Sequence, residues 1–479
     1  MKIGKMHDIL SKVVFLWGKR ADGVRQGIPV FSKGKGFLYG ILEEIMLPCL
    51  KRNTREEYTM RELTALLKKE ISPALGVTEV GAIALASARA AAAAEGNIKK
   101  IHVEMNGGMY KNAFSCAIPG TKELGCEMAA LLGAVCGDWT LGLECLKPVT
   151  EADADRVKTM GIDVTTAVDK SKEEIYILAE VETDKGTGKA LIEAKHSNIT
   201  KVWKDGEAIF EAETKAAEAE KPFPFDTVTV GDFVDYVKTV PSEEIAFLQD
   251  MIDMNCALSA EGAKGAGLSI GATLDAFRAK GVLGDDMISR AQHLTTAAMD
   301  ARLAGLPFPA MSIVGSGSHG ILCSMPVVSY GRSIGADEDT IRRAVALSGL
   351  ITIYSKHYTG RLSALCGCVL GGGSGAAAGI VLLMGGGAAE VAAAMDHMAA
   401  NLTGMICDGG STGCALKAYA GVHAAFLSAM LAMNGTAIPH NFGVIGSTAE
   451  QTAKNLGRIS MEGMAPMDST IISVMQEKR

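Results

Sequence analysis

The sequence predicts an α+β protein, with a mainly helical part rich in glycine loops and a smaller strand-containing part. Three observations carry this. Aromatic residues make up only 5% of the 479 residues while 55 are glycine and 24 methionine, a composition of small and flexible side chains that suits close helix packing. Apolar and polar residues alternate over residues 101–105 and again over 175–181, as strands require. From about residue 222 onward the period is helical.

Taken in chain order, residues 1–57 carry mixed charge with little period and form an expected N-terminal extension. Thr59-Met60-Arg61-Glu62 reads as a capping box before Leu63, Leu66 and Leu67, so a helix is expected to start near residue 60. After Pro73, Glu79 to Ala94 is almost all alanine and other small residues and predicts a helix buried on most faces. Ile101 to Met105 and Ile175 to Val181 alternate, and short strands continue from 186 to 212 with turns at Gly186, Asp205 and Gly206. A helix near Cys126 to Cys136 lies among them. Glu211 to Lys221 followed by Pro222-Phe223-Pro224 marks a linker, so the expected boundary falls near residue 220, between an α/β domain (58–220) and a helical domain (221–479). No charge occurs between Arg361 and Glu390, but Gly371–Gly373 and Gly385–Gly387 interrupt the run, which predicts a buried helix with glycine hinges instead of a membrane span.

The net charge of −7 offers no broad basic field for nucleic acid or anionic lipid and favours a small solute as partner. Eleven cysteines without the spacing of a disulfide scaffold point to a reducing compartment, and the cytoplasm fits best. The apolar run Val13 to Trp17 is too short for a signal core, so no export is expected. Helix faces of small residues suit a homo-oligomer.

The cysteines sit where chemistry is expected. Cys366-Gly-Cys368 opens a glycine-rich run, and Cys407 and Cys414 flank Asp-Gly-Gly-Ser-Thr-Gly. Glycine lets backbone amides turn toward a cluster without a Cβ in the way, so thiolates beside such turns suit iron–sulfur ligation. The alternative is buried, inert thiols. Gly315-Ser316-Gly317-Ser318-His319-Gly320 is a glycine loop that lacks the Lys-Ser/Thr of a phosphate loop.

Together, Gly315 to Ile321 with Pro326, Tyr358 to Cys368, Asn401 to Gly410 and Gly413 to Lys417 resemble the L-cysteine desulfidase family, which is related to the α chain of iron–sulfur-dependent L-serine dehydratases. Lys111 to Ala113, Ile118 to Thr121 and His196 to Ile199 extend the resemblance over about residues 60 to 470. It implies a 4Fe-4S enzyme that needs no pyridoxal phosphate and eliminates sulfide and ammonia from L-cysteine, leaving pyruvate. L-serine or another β-substituted amino acid is the alternative substrate. Cys407 matches a family ligand, and Cys366 or Cys368 a second. The family's third cysteine falls in a Gly-Cys-Thr-Glu-Pro motif that here reads Gly76-Val77-Thr78-Glu79-Val80. Cys414 or the second member of the Cys366/Cys368 pair can replace it, or the chain is a cluster-free protein that binds or senses a small amino acid. For the base, the resemblance implies His319, an imidazole that titrates near ~6.5 in water, with His196 and Lys356 as alternatives. Thr78, Glu79, Ser316, Ser318 and Arg361 are the candidates for substrate contact.

Overall fold

Side-chain alternation builds the sheet, and small residues bring helices onto it. The computed structural model describes residues 60–172, 174–212 and 222–478. The expected extension 1–57, the capping Thr59 and residues 213–221 of the expected linker lie outside them. The described chain starts with helix α1 (60–70), in which Leu63, Leu66 and Leu67 are buried as their spacing requires. Next come β1 (Ile71–Leu75), α2 (Thr78–Ala94), β2 (Ile98–Asn106), α3 (Gly107–Ala113), α4 (Cys126–Cys136) and α5 (Glu151–Lys158). Then follow β3 (Asp163–Asp169), β4 (Tyr176–Thr183), β5 (Thr187–Glu193), β6 (Ile199–Lys204) and β7 (Glu207–Glu211).

Six strands form one sheet in the order β3-β2-β4-β5-β6-β7, with β2 parallel to β3 and the other neighbours antiparallel. The register sets Ile101 opposite Val181, Val103 opposite Ala179 and Met105 opposite Ile177, so six buried side chains share one face. Helix α2 packs on β4 and β5. Its alanines allow this approach: a Cβ on Gly188 of β5 would collide with the backbone of Ala90, and one on Gly133 of α4 with the backbone of Ala84.

The helical part comprises α6 (Val230–Thr239), α7 (Leu248–Gly262), α8 (Ile270–Ala279), α9 (Met287–Leu303), α10 (Gly317–Ser333), α11 (Glu338–Thr359), α12 (Gly373–Leu383), α13 (Ala388–Leu402), α14 (Cys414–Met433), α15 (Ala449–Arg458) and α16 (Ala465–Gln476). One strand, β8 (Pro309–Ile313), interrupts the expected run of helices and pairs antiparallel with β1, Ile71 facing Ile313. Sequence reading missed both strands because each has five residues and contains a proline, which cannot donate to a ladder and is tolerated in a two-stranded ribbon. β8 matters because it aims the glycine loop 314–316 into α10.

The uncharged glycine stretch is a π-helical turn (Cys368–Gly372) running into α12, and both are buried. Glycine is required there: a Cβ on Gly375 would overlap Ser348 O and Thr352 Oγ1 of α11, and one on Gly379 would press on Val327. Among the described residues the helix long and apolar enough to cross a membrane is Cys414–Met433, and half of its apolar window is buried within the protein. Sheet and helices share one continuous core.

Candidate functional site

Two backbone stitches gather the cysteine motifs. Cys366 N–H donates to Met405 O at 2.8 Å and Cys407 N–H to Ala364 O at 2.7 Å, an antiparallel bridge around Leu365 and Ile406. The following loop is tied to α3, where Gly410 N–H donates to Asn112 O at 3.1 Å. Gly409 has φ +98°, and a Cβ there would collide with Lys111 O, so only glycine fits. Cys414 opens α14 and Cys368 opens the π-helical turn. As a result Cys366, Cys368, Cys407 and Cys414 line one cleft of about 90 Å³, together with Val77, Glu79, Asn112, His196, Arg302, His319 and Lys356.

The thiols are electrically unequal. Cys366 is drawn down to about 7, first by a hydrogen bond from Cys368 and against its own burial, with Lys417 and Lys356 adding to the effect. Cys368, which gives that bond, is pushed well up and also lies 3.6 Å from Ser318 O. Burial raises Cys407, and raises Cys414 to about 12.

Around the thiols stand cations in two kinds of setting. Lys111 pairs with Asp468 at 2.7 Å, and Lys417 pairs with Asp408. Lys356 is 2% exposed, donates to Ser363 Oγ at 2.9 Å, and is lowered by burial to about 8. Arg302 is 3% exposed, donates to Ser318 Oγ at 2.9 Å, and its Nε has no partner. Among the described residues neither has a carboxylate within ion-pair distance, yet a buried cation left without a counter-charge costs several kcal/mol. Thiolates or a bound anion would supply that charge.

The remaining sequence candidates divide by place. His319 lines the cleft, its Nδ1 lacks a partner, and burial and then Lys356 push its pKa well below 6.5. His196, in the turn between β5 and β6, faces Glu79 with Nε2 3.9 Å from Oε1, and burial lowers its pKa. Glu79 accepts from Asn112 Nδ2 at 2.8 Å. Thr78 donates to Gly315 O at 3.0 Å and fastens α2 to the glycine loop. Ser316 and Ser318 line the cleft at the start of α10. Arg361 lies at the rim, and its Nη2 is engaged by both Glu70 oxygens at 2.9 Å. The loop is also strained: Val314 has φ +52°, a left-handed conformation that costs a β-branched residue on the order of 1–3 kcal/mol.

Sequence reasoning missed Arg302 and Asn112. Both sit within helices, where a charged or polar residue normally reads as a solvated face. The available signal was a single Asp300/Arg302 pair in the otherwise small and apolar run Thr295 to Gly305. Asp300 holds the turn into α8 by accepting from Leu268 and Ile270 N–H, which leaves Arg302 for the cleft.

Among the described residues no three histidine, cysteine or carboxylate groups are grouped tightly enough to grip a single metal ion. A polynuclear group asks less of its donors, because each thiolate holds a different iron and the sulfurs stand farther apart than the ligands of one ion. The four thiols, set among Arg302, Lys356 and Lys417, match such a group in donor type and charge. Val77, 4% exposed, projects into the same cleft, so three ligands are available without a thiol at position 77.

Comparison with known proteins bears on this site. The family model for the serine dehydratase alpha chain matches residues 140–473. A UPF0597 protein of Clostridium botulinum is 40% identical over 419 residues, covering 86% of this chain and 97% of its own length. UPF0597 proteins of Clostridioides difficile and Caldanaerobacter subterraneus subsp. tengcongensis are each 37% identical, over 422 and 423 residues, and 98% of each is covered. These alignments span 86% and 87% of this chain.

Proposed function

Because the chain belongs to the serine dehydratase alpha chain family, whose name points to amino-acid dehydratase chemistry, we propose that it is a β-eliminating lyase for L-cysteine that carries a 4Fe-4S cluster. The observation that supports this most is the convergence of four thiols on a cleft whose buried Arg302 and Lys356 have no carboxylate partner. Cys366, Cys407 and Cys414 are the ligands in this reading: Cys366 acts electrostatically on both of the others and Cys407 on Cys414, while Cys368 Sγ is already engaged with Ser318 O at 3.6 Å. When bound, the cluster supplies an iron with an open position, a Lewis acid for the substrate.

The chain's own residues do the rest. His319, in the cleft lining, takes the α-proton. The Cβ–S bond breaks, sulfide leaves with a proton as hydrogen sulfide, and the enamine left behind tautomerises and takes up one water to give pyruvate and ammonia. Lys356 keeps positive charge beside Cys366 and Cys407. Val77, Leu303, Val314 and Leu362 are the apolar residues among the cleft lining, and a leaving group seated against them is favoured as a thiol over the hydroxyl of L-serine. In this reading the protein works in a reducing cytoplasm.

The test is pyruvate formation by anaerobically purified protein from L-cysteine and, separately, from L-serine. The expected result is a larger kcat/KM for L-cysteine. Preference for L-serine would keep the lyase and overturn the thiol assignment. Absence of pyruvate from either, with iron bound, would overturn both.

A further inference from the structure

We propose that Arg302 and Glu79 form a clamp for the two charged ends of an α-amino acid, Arg302 with the first turn of α10 taking the carboxylate and Glu79 taking the ammonium. The assignment rests on the amino-acid reading above and goes beyond it by naming the recognition groups.

Three observations place the carboxylate. Arg302 Nη1 is occupied by Ser318 Oγ, but Nε has no partner although the residue is 97% buried, and a buried unmade donor is costly. The guanidinium lies against the opening of α10: a Cβ on Gly317 would collide with Arg302 Nε. At that opening the N-cap Ser316 makes no side-chain cap, so the first-turn amides of α10 are left to an outside acceptor. A carboxylate that accepts from the guanidinium and from these amides would give both the buried charge and the first-turn donors a partner, and guanidinium geometry suits such an acceptor.

Glu79 supplies the other pole. It is held by Asn112 Nδ2 and approached by His196, and it is the strongest charge acting on Arg302. Arg302 and Glu79 line the same cleft without an ion pair between them. A zwitterion laid between them would satisfy each with the opposite charge. The other cations are placed for other work. Lys356 is bonded to Ser363 beside Cys366 and Cys407, and Arg361 is held by Glu70.

Binding is measured by calorimetry on the anaerobically prepared holoprotein with three probes: L-alanine, which keeps both charges but has no leaving group; L-alaninamide, which lacks the carboxylate; and propionate, which lacks the ammonium. The clamp predicts that each truncated probe binds at least about 10-fold more weakly than L-alanine. Arg302→Gln should abolish the preference for L-alanine over L-alaninamide, Arg302→Lys should restore part of it, and Glu79→Gln should abolish the preference over propionate. Wild-type protein that binds L-alanine no better than the truncated probes, or binds none of them, overturns the clamp. This comparison also decides the matter where a variant fails to fold by circular dichroism. Failure of the lyase reading looks different. L-alanine binding with these preferences but no pyruvate keeps the clamp and removes the reaction, whereas pyruvate formation by folded Arg302→Gln at unchanged KM keeps the reaction and removes the clamp.

Discussion

The sheet and the cleft treat charge in opposite ways. At the sheet, Lys189 faces Glu180 across β5 and β4 and Lys204 of β6 pairs with Glu95 at the end of α2, each pair at 3.0 Å and open to solvent, while the buried face is almost wholly apolar. In the cleft, Arg302 and Lys356 are buried without carboxylates, Val314 holds a strained backbone, and the nitrogens of His196, Arg302 and His319 include orphaned atoms. A region selected for stability alone would not keep these features, because each costs free energy. Their concentration around four thiols marks where folding stability is given up for ligand and chemistry.

Substitutions can break this contrast. The largest effect is expected for Cys407→Ala, which should lose iron and lower pyruvate formation by more than about 100-fold together. Full iron with full activity would remove Cys407 from the ligand set. Ile177→Ala, near the start of β4 and fully buried, should cost about 2–5 kcal/mol of stability, with iron per folded chain unchanged. A variant that lost iron without losing stability would join the two regions that are separated here.

Lys356→Met sharpens the comparison most, because the two readouts should move in opposite directions. Removing an unpaired buried cation should leave the iron-free protein equally stable or stabilise it by about 1–4 kcal/mol, while turnover falls about 10-fold or more. Melting temperature and initial rate on the same preparation check both. A large loss of stability would show that Lys356 is neutralised in the iron-free fold. Lys189→Ala, which opens an exposed pair on the sheet, should change stability by no more than about 0.5 kcal/mol in denaturant titrations.

How much was legible in the sequence follows the same division. The α4 boundaries, the alternation of β2 and β4 and the buried alanine helix α2 are local patterns, and the structure carries them at Cys126–Cys136, Ile98–Asn106, Tyr176–Thr183 and Thr78–Ala94. The ribbon β1–β8 joins residues about 240 apart through five-residue strands containing prolines, so no local period announced it. Within the cleft, the cysteines and His319 stood in glycine motifs and could be singled out. That Cys366 meets Cys407 depends on a two-residue bridge between loops, and that Arg302 faces inward depends on Asp300 being occupied at α8. Neither can be read from spacing.

The account turns on whether the thiols hold a cluster, and iron with acid-labile sulfide per chain, measured on protein purified without oxygen, tests this most directly. About four irons and four sulfides per chain, lost in Cys366→Ala, Cys407→Ala and Cys414→Ala but kept in Cys368→Ala, are the expected result. Wild-type protein that takes up no iron after anaerobic reconstitution would contradict the account and leave the cleft a cluster-free amino-acid site.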